Sequence, residues 1–578
     1  MKIEDIKKLF LKRPVFLLGL ILVIGLAVRL IYLWEVSGYS NFKVPYAGLD
    51  VALYHNLAQS IASGDLFLGK EAYYFSPLYA YFLGGLYYIF GDSYLVARLA
   101  NIALGVGTIA LIYLYTLKLF RSTGVALITA LGAALYGPFL VFDTSGLKTT
   151  LGQFLISLSL VLICRANQKR EFIPWLYTGG IIGLAFNMNG QLGLFFIGIL
   201  LWLFVTKPIG QSEEGVLRSA EKWPRRLGMA GCLFLGLVIA LLPFTIRNYF
   251  VTKDVVLTTS TSGIHFYIGN NKRAWGGYRR ITGIRPNPAG HYYDARRVAE
   301  RSIGHPLSAS EVSAFWKDKA WDFIGGNLGA FLSLLGKKAL LVLNAYEIPN
   351  NENYQYLTKR SFYLSLFPCI VLLLPLGLSG LLISLPQWRR LTPLLVFFFS
   401  YALGVIISIV TWRYRLPLAL GLLPWSGFFV VRAITWARDV RFLALGLVAV
   451  LLFGCWAITK VPLISKKNYD WSMKRAEAIM NACEQEETLL KQIATHASGL
   501  QGDVGHVWLK LARIRESQYD IEGAIRILRQ GLDENPNQPR LWHRLSIMLS
   551  RLGDMEGARK AEENLKRYRL RRPPERAQ

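Results

Sequence analysis

Two carboxylates in this chain stand where an outer-face base could act. Asp50 lies in PYAGLDVALYHNLAQSIASGD (45–65), ahead of Leu53, Leu57 and Ile61 with Tyr54 and Ala58 between them, so it opens an amphipathic helix. At a helix start an aspartate accepts hydrogen bonds from unpaired N–H groups, and the same position keeps it ionised and able to take a proton. Asp143 in VFDTSGLK (141–148) has the same two readings: a cap on a helix beginning near Thr144, with Lys148 as ion-pair partner, or a second acid that shares general-base work with Asp50. The cations Arg247 in TIRNY (245–249) and Arg413 and Arg415 in TWRYRLP (411–417) sit at the ends of apolar runs. Arginine there either snorkels to headgroups or clamps a lipid-linked phosphate with its forked guanidinium. Tyr54 and His55 are candidate substrate contacts, and Glu347 in NAYEIPNN (344–351) either orients an acceptor or is an exposed loop acid. IGNNKRAWGGY (268–278) has turn chemistry and could close over a ligand. His265 and His291 lack metal-ligand spacing, so no metal and no other cofactor is expected.

The elements that position these residues are membrane helices. The composition is 53% apolar and only 18% charged over 578 residues, which argues against an ordinary soluble enzyme. The +28 balance, from 65 Lys+Arg against 37 Asp+Glu, accompanies repeated uncharged runs of spanning length rather than a nucleic-acid-binding surface, so no nucleic acid is expected as partner. Five cysteines, four of them (Cys164, Cys232, Cys369, Cys455) inside apolar runs, exclude a disulfide scaffold. Spans are expected near 14–34, 95–117, 124–142, 146–164, 228–246, 361–385, 391–410, 416–431 and 442–459. The run 172–205, broken by Asn187-Met188-Asn189-Gly190-Gln191, adds two short spans around a polar hairpin and brings the total to eleven. The first is expected to be a retained anchor. No charge buried mid-span and no repeated block of spans is recognised, which disfavours a transporter.

Residues 75–90 decide the parity of every later loop. If they do not cross, about twenty Lys and Arg of the short connectors fall on the N-terminal side and five (Lys43, Lys70, Lys148, Arg413, Arg415) on the other, as the positive-inside rule requires. The segment then lies in the outer interface as an in-plane helix, with Tyr79, Tyr81, Tyr87 and Tyr88 in the aromatic belt. This places the loops 35–94 and 247–360 and the tail 461–578 outside, with the N-terminus inside. In the tail, Trp508, Leu511, Gly523 and Ala524 recur at Trp542, Leu545, Gly557 and Ala558, and YDIEGA (519–524) recurs as GDMEGA (553–558), all at an offset of about 34 residues. That period predicts tetratricopeptide helix pairs over about 505–572, the second copy weakened by Glu562, with 474–500 as a degenerate third. The fold class is therefore an all-α polytopic membrane domain, 1–460, followed by an α-helical repeat domain.

The strings LDVALYHNLAQSIASGD with Asp50 and Tyr54, YYFSPLYAYFLGGLYYIFG (73–91) followed by Arg98, LLPFTIRNYFVTKDVVLTTSTSGIHFYIGNN (241–271) and RYRLPLAL (413–420) resemble the GT-C class of polyprenyl-phosphate-sugar-dependent glycosyltransferases. That class includes protein O-mannosyltransferases and the lipid A aminoarabinose transferase, and the resemblance runs over roughly 14–460. It implies that Asp50 is the first-loop catalytic base and Asp143 the second outer-face acid. It also implies a polyprenyl-phosphate-sugar donor, a glycolipid, glycan or protein acceptor, and one-step displacement with inversion. Arg247, Arg413 and Arg415 are then the candidates for stabilising the departing phosphate. The chain departs from the class at Ser76, where some relatives carry a basic residue before the proline, and in GLAFNMNGQLG (183–193), which has no cation. Phosphate contacts could instead come from Lys272, Arg273, Arg279 and Arg280. The implied setting is the bacterial cytoplasmic membrane, with a protein partner at the repeats. The alternative function is an inactive scaffold of an envelope-glycan assembly complex.

Overall fold

The computed structural model describes residues 14–169, 171–205, 223–497 and 505–569, and among them there are helices and no strands. The basic residues Lys2, Lys7, Lys8, Lys12, Arg13, Arg170, Lys207, Arg218 and Lys222, which contribute to the inside count, lie outside the described residues. The chain forms two compact units. One comprises Met1–Glu35, Tyr54–Ile284 and Ala289–Met473; the other comprises Val36–Leu53, Arg285–Pro288 and Lys474–Gln578.

The first unit is a multi-pass membrane domain. Among the described residues, seven helices are long and apolar enough to cross a bilayer, eight if the pair Thr123–Leu135 and Gly137–Ser145, bent by 55°, is one span. The difference from the eleven expected lies in broken segments. Phe172–Met188 and Leu192–Val205 are short apolar helices parted at the predicted polar hairpin, and the stretch Phe362–Ile407 is interrupted by a tight turn at Leu385–Gln387 between Ile370–Ser384 and Trp388–Ile407. Small residues let neighbours approach closely. At Gly179 an added Cβ would lie 1.9 Å from the Leu233 carbonyl oxygen, and at Gly236 it would lie 2.0 Å from that of Leu176, so Phe172–Met188 and Trp223–Thr252 touch backbone to backbone.

Buried charges do lie inside the spans. Arg29, in the first apolar helix Pro14–Ser37, is fully buried against Asp143, so the expectation of charge-free spans is corrected; neutralisation by a partner is what makes the burial tolerable. The segment 75–90 forms the helix Pro77–Phe90, which is not among the helices of spanning length. Its tyrosines do not form a simple belt, because Tyr79 and Tyr87 are buried in protein and only Tyr88 is largely exposed. The long loop folds around Ile264, Ile268, Ile284, Ala295, Trp316 and Ile409, and a capping box between Ser308 and Glu311 starts its helix Ala309–Gly326.

In the second unit the 34-residue period becomes the helices Gly505–Ser517, Ile521–Glu534, Pro539–Leu552 and Met555–Arg569. Each second helix begins with the same device: Asp520 accepts from the Gly523 N–H at 2.9 Å and Asp554 from the Gly557 N–H at 2.8 Å. Glu562 is exposed on the last helix, which leaves that helix a polar outer face. The expected degenerate third pair is a single helix, Lys466–Ala497, whose Leu489 and Ile493 pack on the repeat core.

Candidate active site

Asp50 opens the helix Asp50–Ala62 and lies in its first turn, as its sequence position implied. One turn on, Tyr54 is buried, its hydroxyl accepts from the Ser76 N–H at 3.3 Å, and its ring meets that of Tyr79 edge to face at 5.0 Å. His55 stacks on Tyr94 at 3.8 Å, and its Nδ1 lies 2.9 Å from the Tyr87 hydroxyl. Burial pushes the His55 pKa below its usual value, with Asp92 raising it and Arg98 lowering it. This helix therefore leans on the helix Pro77–Phe90, expected from the sequence to lie in the membrane plane, through polar side chains as well as apolar ones.

The N-terminus of the in-plane helix gathers partners from three other elements. Lys148 donates to the Ser76 hydroxyl and, at 2.8 Å, to the Met188 carbonyl. Asn187 accepts from the Leu78 N–H at 3.2 Å. The buried Asn101 donates to the Leu147 carbonyl at 2.9 Å and accepts from the Tyr79 hydroxyl at 3.3 Å. A cation from a distant loop thus sits at the residue before Pro77, where the sequence itself has only a serine. The polar hairpin supplies the wall: Asn187 and Met188 reach this point, Asn189 hydrogen-bonds Tyr401, and Gln191 donates to Ser408 at 3.2 Å. A half-buried lysine at the positive end of a helix can hold an anion.

Arg98, buried in the first turn of Tyr94–Phe120, lies 5.7 Å from the Tyr94 ring and acts electrostatically on Glu352. Burial raises the Glu352 carboxyl above the ordinary range, and Arg98 offsets part of that rise. Glu352 was missed in the sequence because an acid within IPNNENY (348–354) has no periodicity to mark it. Lys148 carried a signal, as one of five cations on the sparsely charged side, but was read only as a partner for Asp143.

Four sequence expectations change. Asp143 does not start a helix: it lies inside Gly137–Ser145, accepts from Arg29 Nε at 2.7 Å and Thr150 Oγ1 at 2.9 Å, and is buried. Its partner is Arg29 rather than Lys148, and its role as a second outer-face acid gives way to that of an internal ion pair. Arg247 is not a phosphate clamp. Its guanidinium donates to the carbonyls of Phe67, Leu68, Gly69 and Glu71 and lies 4.2 Å from the Tyr73 ring, so it binds the first loop's own backbone. Arg415 is buried, ion-paired with Glu347, and donates to the carbonyls of Leu341, Asn344 and Tyr346. Glu347 is accordingly neither an exposed loop acid nor an acceptor contact, because a buried guanidinium holds it.

Other expected residues stay in place or find company. Arg413 is half-buried, 5.4 Å from the Tyr414 ring. Lys272, Arg273, Arg279 and Arg280 lie on an exposed stretch. His265 and His291, separate in sequence, meet at 3.2 Å, and His291 continues to the Tyr278 hydroxyl at 3.1 Å. Among the described residues no three His, Cys, Asp or Glu side chains are grouped as a metal site.

The dolichyl-phosphate-mannose-protein mannosyltransferase family matches residues 75–241, the stretch that runs from the in-plane helix through Lys148 and the polar hairpin. A tetratricopeptide repeat matches 506–548. No curated protein matches the chain. Two crystal structures of the Archaeoglobus fulgidus oligosaccharyltransferase are similar, the apo form at 14% identity with a TM-score of 0.44 and the complex with Zn and sulfate at 17% with 0.42. They cover 79% and 78% of this chain, which spans 57% and 54% of theirs. The matched stretch contains Ser76, Arg98, Lys148 and Asn187, while Asp50, Tyr54 and Arg413 lie outside it.

Proposed function

We propose that this protein is a membrane glycosyltransferase that moves a sugar from a polyprenyl-phosphate carrier to an acceptor on the outer face of the bacterial cytoplasmic membrane. The observation that carries the reading is Lys148 at the start of the in-plane helix, inside the stretch that matches the mannosyltransferase family. A polyprenyl phosphate is already a good leaving group, so the protein's task is to hold it and offset the charge that develops on its oxygens. In this reading Lys148 does this, with the buried Arg98 and the half-buried Arg413 as the other candidate cations. Asp50 removes the proton from the acceptor as it attacks, and the sugar inverts in one displacement. Tyr54 and His55 pack the Asp50 helix against Pro77–Phe90 and so hold the base in place. The reaction has no step that needs a metal or other cofactor. The tetratricopeptide tail provides for a protein partner or a protein acceptor.

The test compares envelope glycolipids and glycoproteins by mass spectrometry in cells with the wild-type protein, a deletion, or Asp50→Asn at equal expression. Loss of one glycosylated species in both mutants, with its polyprenyl-phosphate sugar accumulating, identifies donor and acceptor together. Asparagine caps a helix as well as aspartate does, so retention of that species in Asp50→Asn reduces Asp50 to a cap and favours the inactive scaffold.

A further inference from the structure

The second compact unit contains, besides the repeat helices, the stretch Val36–Leu53 that ends in Asp50 and its first turn. The join is made by the turn between the first two repeat helices. Gln518 is fully buried; its Oε1 accepts from the Ala47 N–H at 2.9 Å and its Nε2 donates to Glu486 at 3.1 Å. Glu486, itself fully buried, pairs with Arg515, which also reaches Asp520 at 3.4 Å, the residue that caps the next helix. The amide is thus fixed at its Nε2 end by Glu486 of the tail and holds the Ala47 N–H with its Oε1. Gly48 presses on the same turn: a Cβ there would lie 2.5 Å from the Gln518 carbonyl oxygen, closer than any side chain tolerates. Nearby, Lys43 pairs with Glu487 at 3.2 Å, and the Tyr519 carbonyl, on a residue with φ +63°, accepts from Arg285 and Asn287 of the long loop. Two residues after Gly48 the helix of Asp50 begins, and the Leu49 N–H closes a turn on the Tyr46 carbonyl at 3.0 Å.

We propose that the repeat turn 517–520 is a positioning clamp for Asp50, with Gln518 as its positioning residue: by holding the backbone of Ala47 and Gly48 it sets the direction in which the Asp50 helix starts. The consequence for turnover rests on the reading of Asp50 as base. The tail is then part of the machinery and not only a platform for partners.

The test uses the full chain in lipid nanodiscs for hydrogen exchange, together with the envelope glycan profile of cells carrying the same variants. In Gln518→Ala and in Gly48→Ala, amides 47–51 are expected to exchange roughly five- to tenfold faster, the size of one lost buried hydrogen bond. Amides 523–532 of the repeat core should be unchanged, which shows that the tail remains folded. The glycan species missing from the deletion should fall toward the Asp50→Asn level in both variants. The exchanged pair Glu486→Gln with Gln518→Glu keeps both hydrogen bonds and the net charge, and should restore protection and product. Unchanged exchange at 47–51 overturns the clamp, as does faster exchange with product at the wild-type level. If Asp50→Asn keeps the product, the role of Asp50 as base falls by itself, and the exchange data still decide whether the turn holds residues 47–51.

Discussion

Removing either partner of the Arg29–Asp143 pair leaves a charge stranded in an apolar bundle, whereas removing both leaves only a packing problem. Arg29→Met or Asp143→Asn is expected to cost about 3–5 kcal/mol, and Arg29→Met with Asp143→Leu to recover most of it, measured as thermal unfolding in detergent. The double variant should also retain the glycan product; its loss in a stable double variant would return Asp143 to the catalytic residues. Lys148 has the opposite profile, being half-buried with its ammonium at a helix start. Lys148→Ala should lower product formation roughly a hundredfold, the usual effect of losing one group that stabilises the developing charge, and Lys148→Arg should restore part of it. Equal yields of product from wild type and Lys148→Ala would remove the lysine from the phosphate site.

Lys338 shows how one buried side chain joins elements. It is fully buried on Leu328–Val342, donates to Asn270 at 3.0 Å and to the Ser408 carbonyl at 2.8 Å, and so ties the GNN turn to the C-terminal end of Trp388–Ile407. Burial brings its pKa down to about 7. The unfolded chain, with an ordinary lysine, binds more protons than the folded one between that pH and about 10.4, so Lys338 makes stability rise as pH increases through this window. Below pH 7 both states are protonated and the contribution is flat. A melting profile from pH 6 to pH 9.5 is expected to show this rise, and Lys338→Met should flatten it; an identical slope in both proteins would mean that the lysine is solvated. The in-plane helix illustrates the limit of periodicity at this scale. Its boundaries follow from Pro77 and Gly91, but the arrival of Lys148, Asn187 and Tyr54 at its first turn depends on three other segments.

Over the whole molecule, the positive-inside balance predicts that the tail is extracytoplasmic. Lys510→Cys, exposed on the first repeat helix, should react with a membrane-impermeant maleimide added to intact spheroplasts, and protection there until lysis would invert the topology. Much of the architecture was legible without coordinates. Apolar run lengths, the polar break at 187–191, the start of the Asp50 helix and the 34-residue period are local patterns, and local backbone preferences and burial periods act over a few turns. Side-chain partners are another matter. Arg29 meets Asp143 across 114 positions, Arg247 meets Phe67 across 180, and Gln518 meets Ala47 across 471. An arginine at a span end has the same sequence signature whether it faces a phosphate, a headgroup or a carbonyl cage. By itself the sequence determined an all-helical membrane domain with a repeat tail and the place of Asp50 at a helix start. The tertiary structure alone decided which charges are neutralised internally, because that depends on which distant groups packing brings within hydrogen-bond reach.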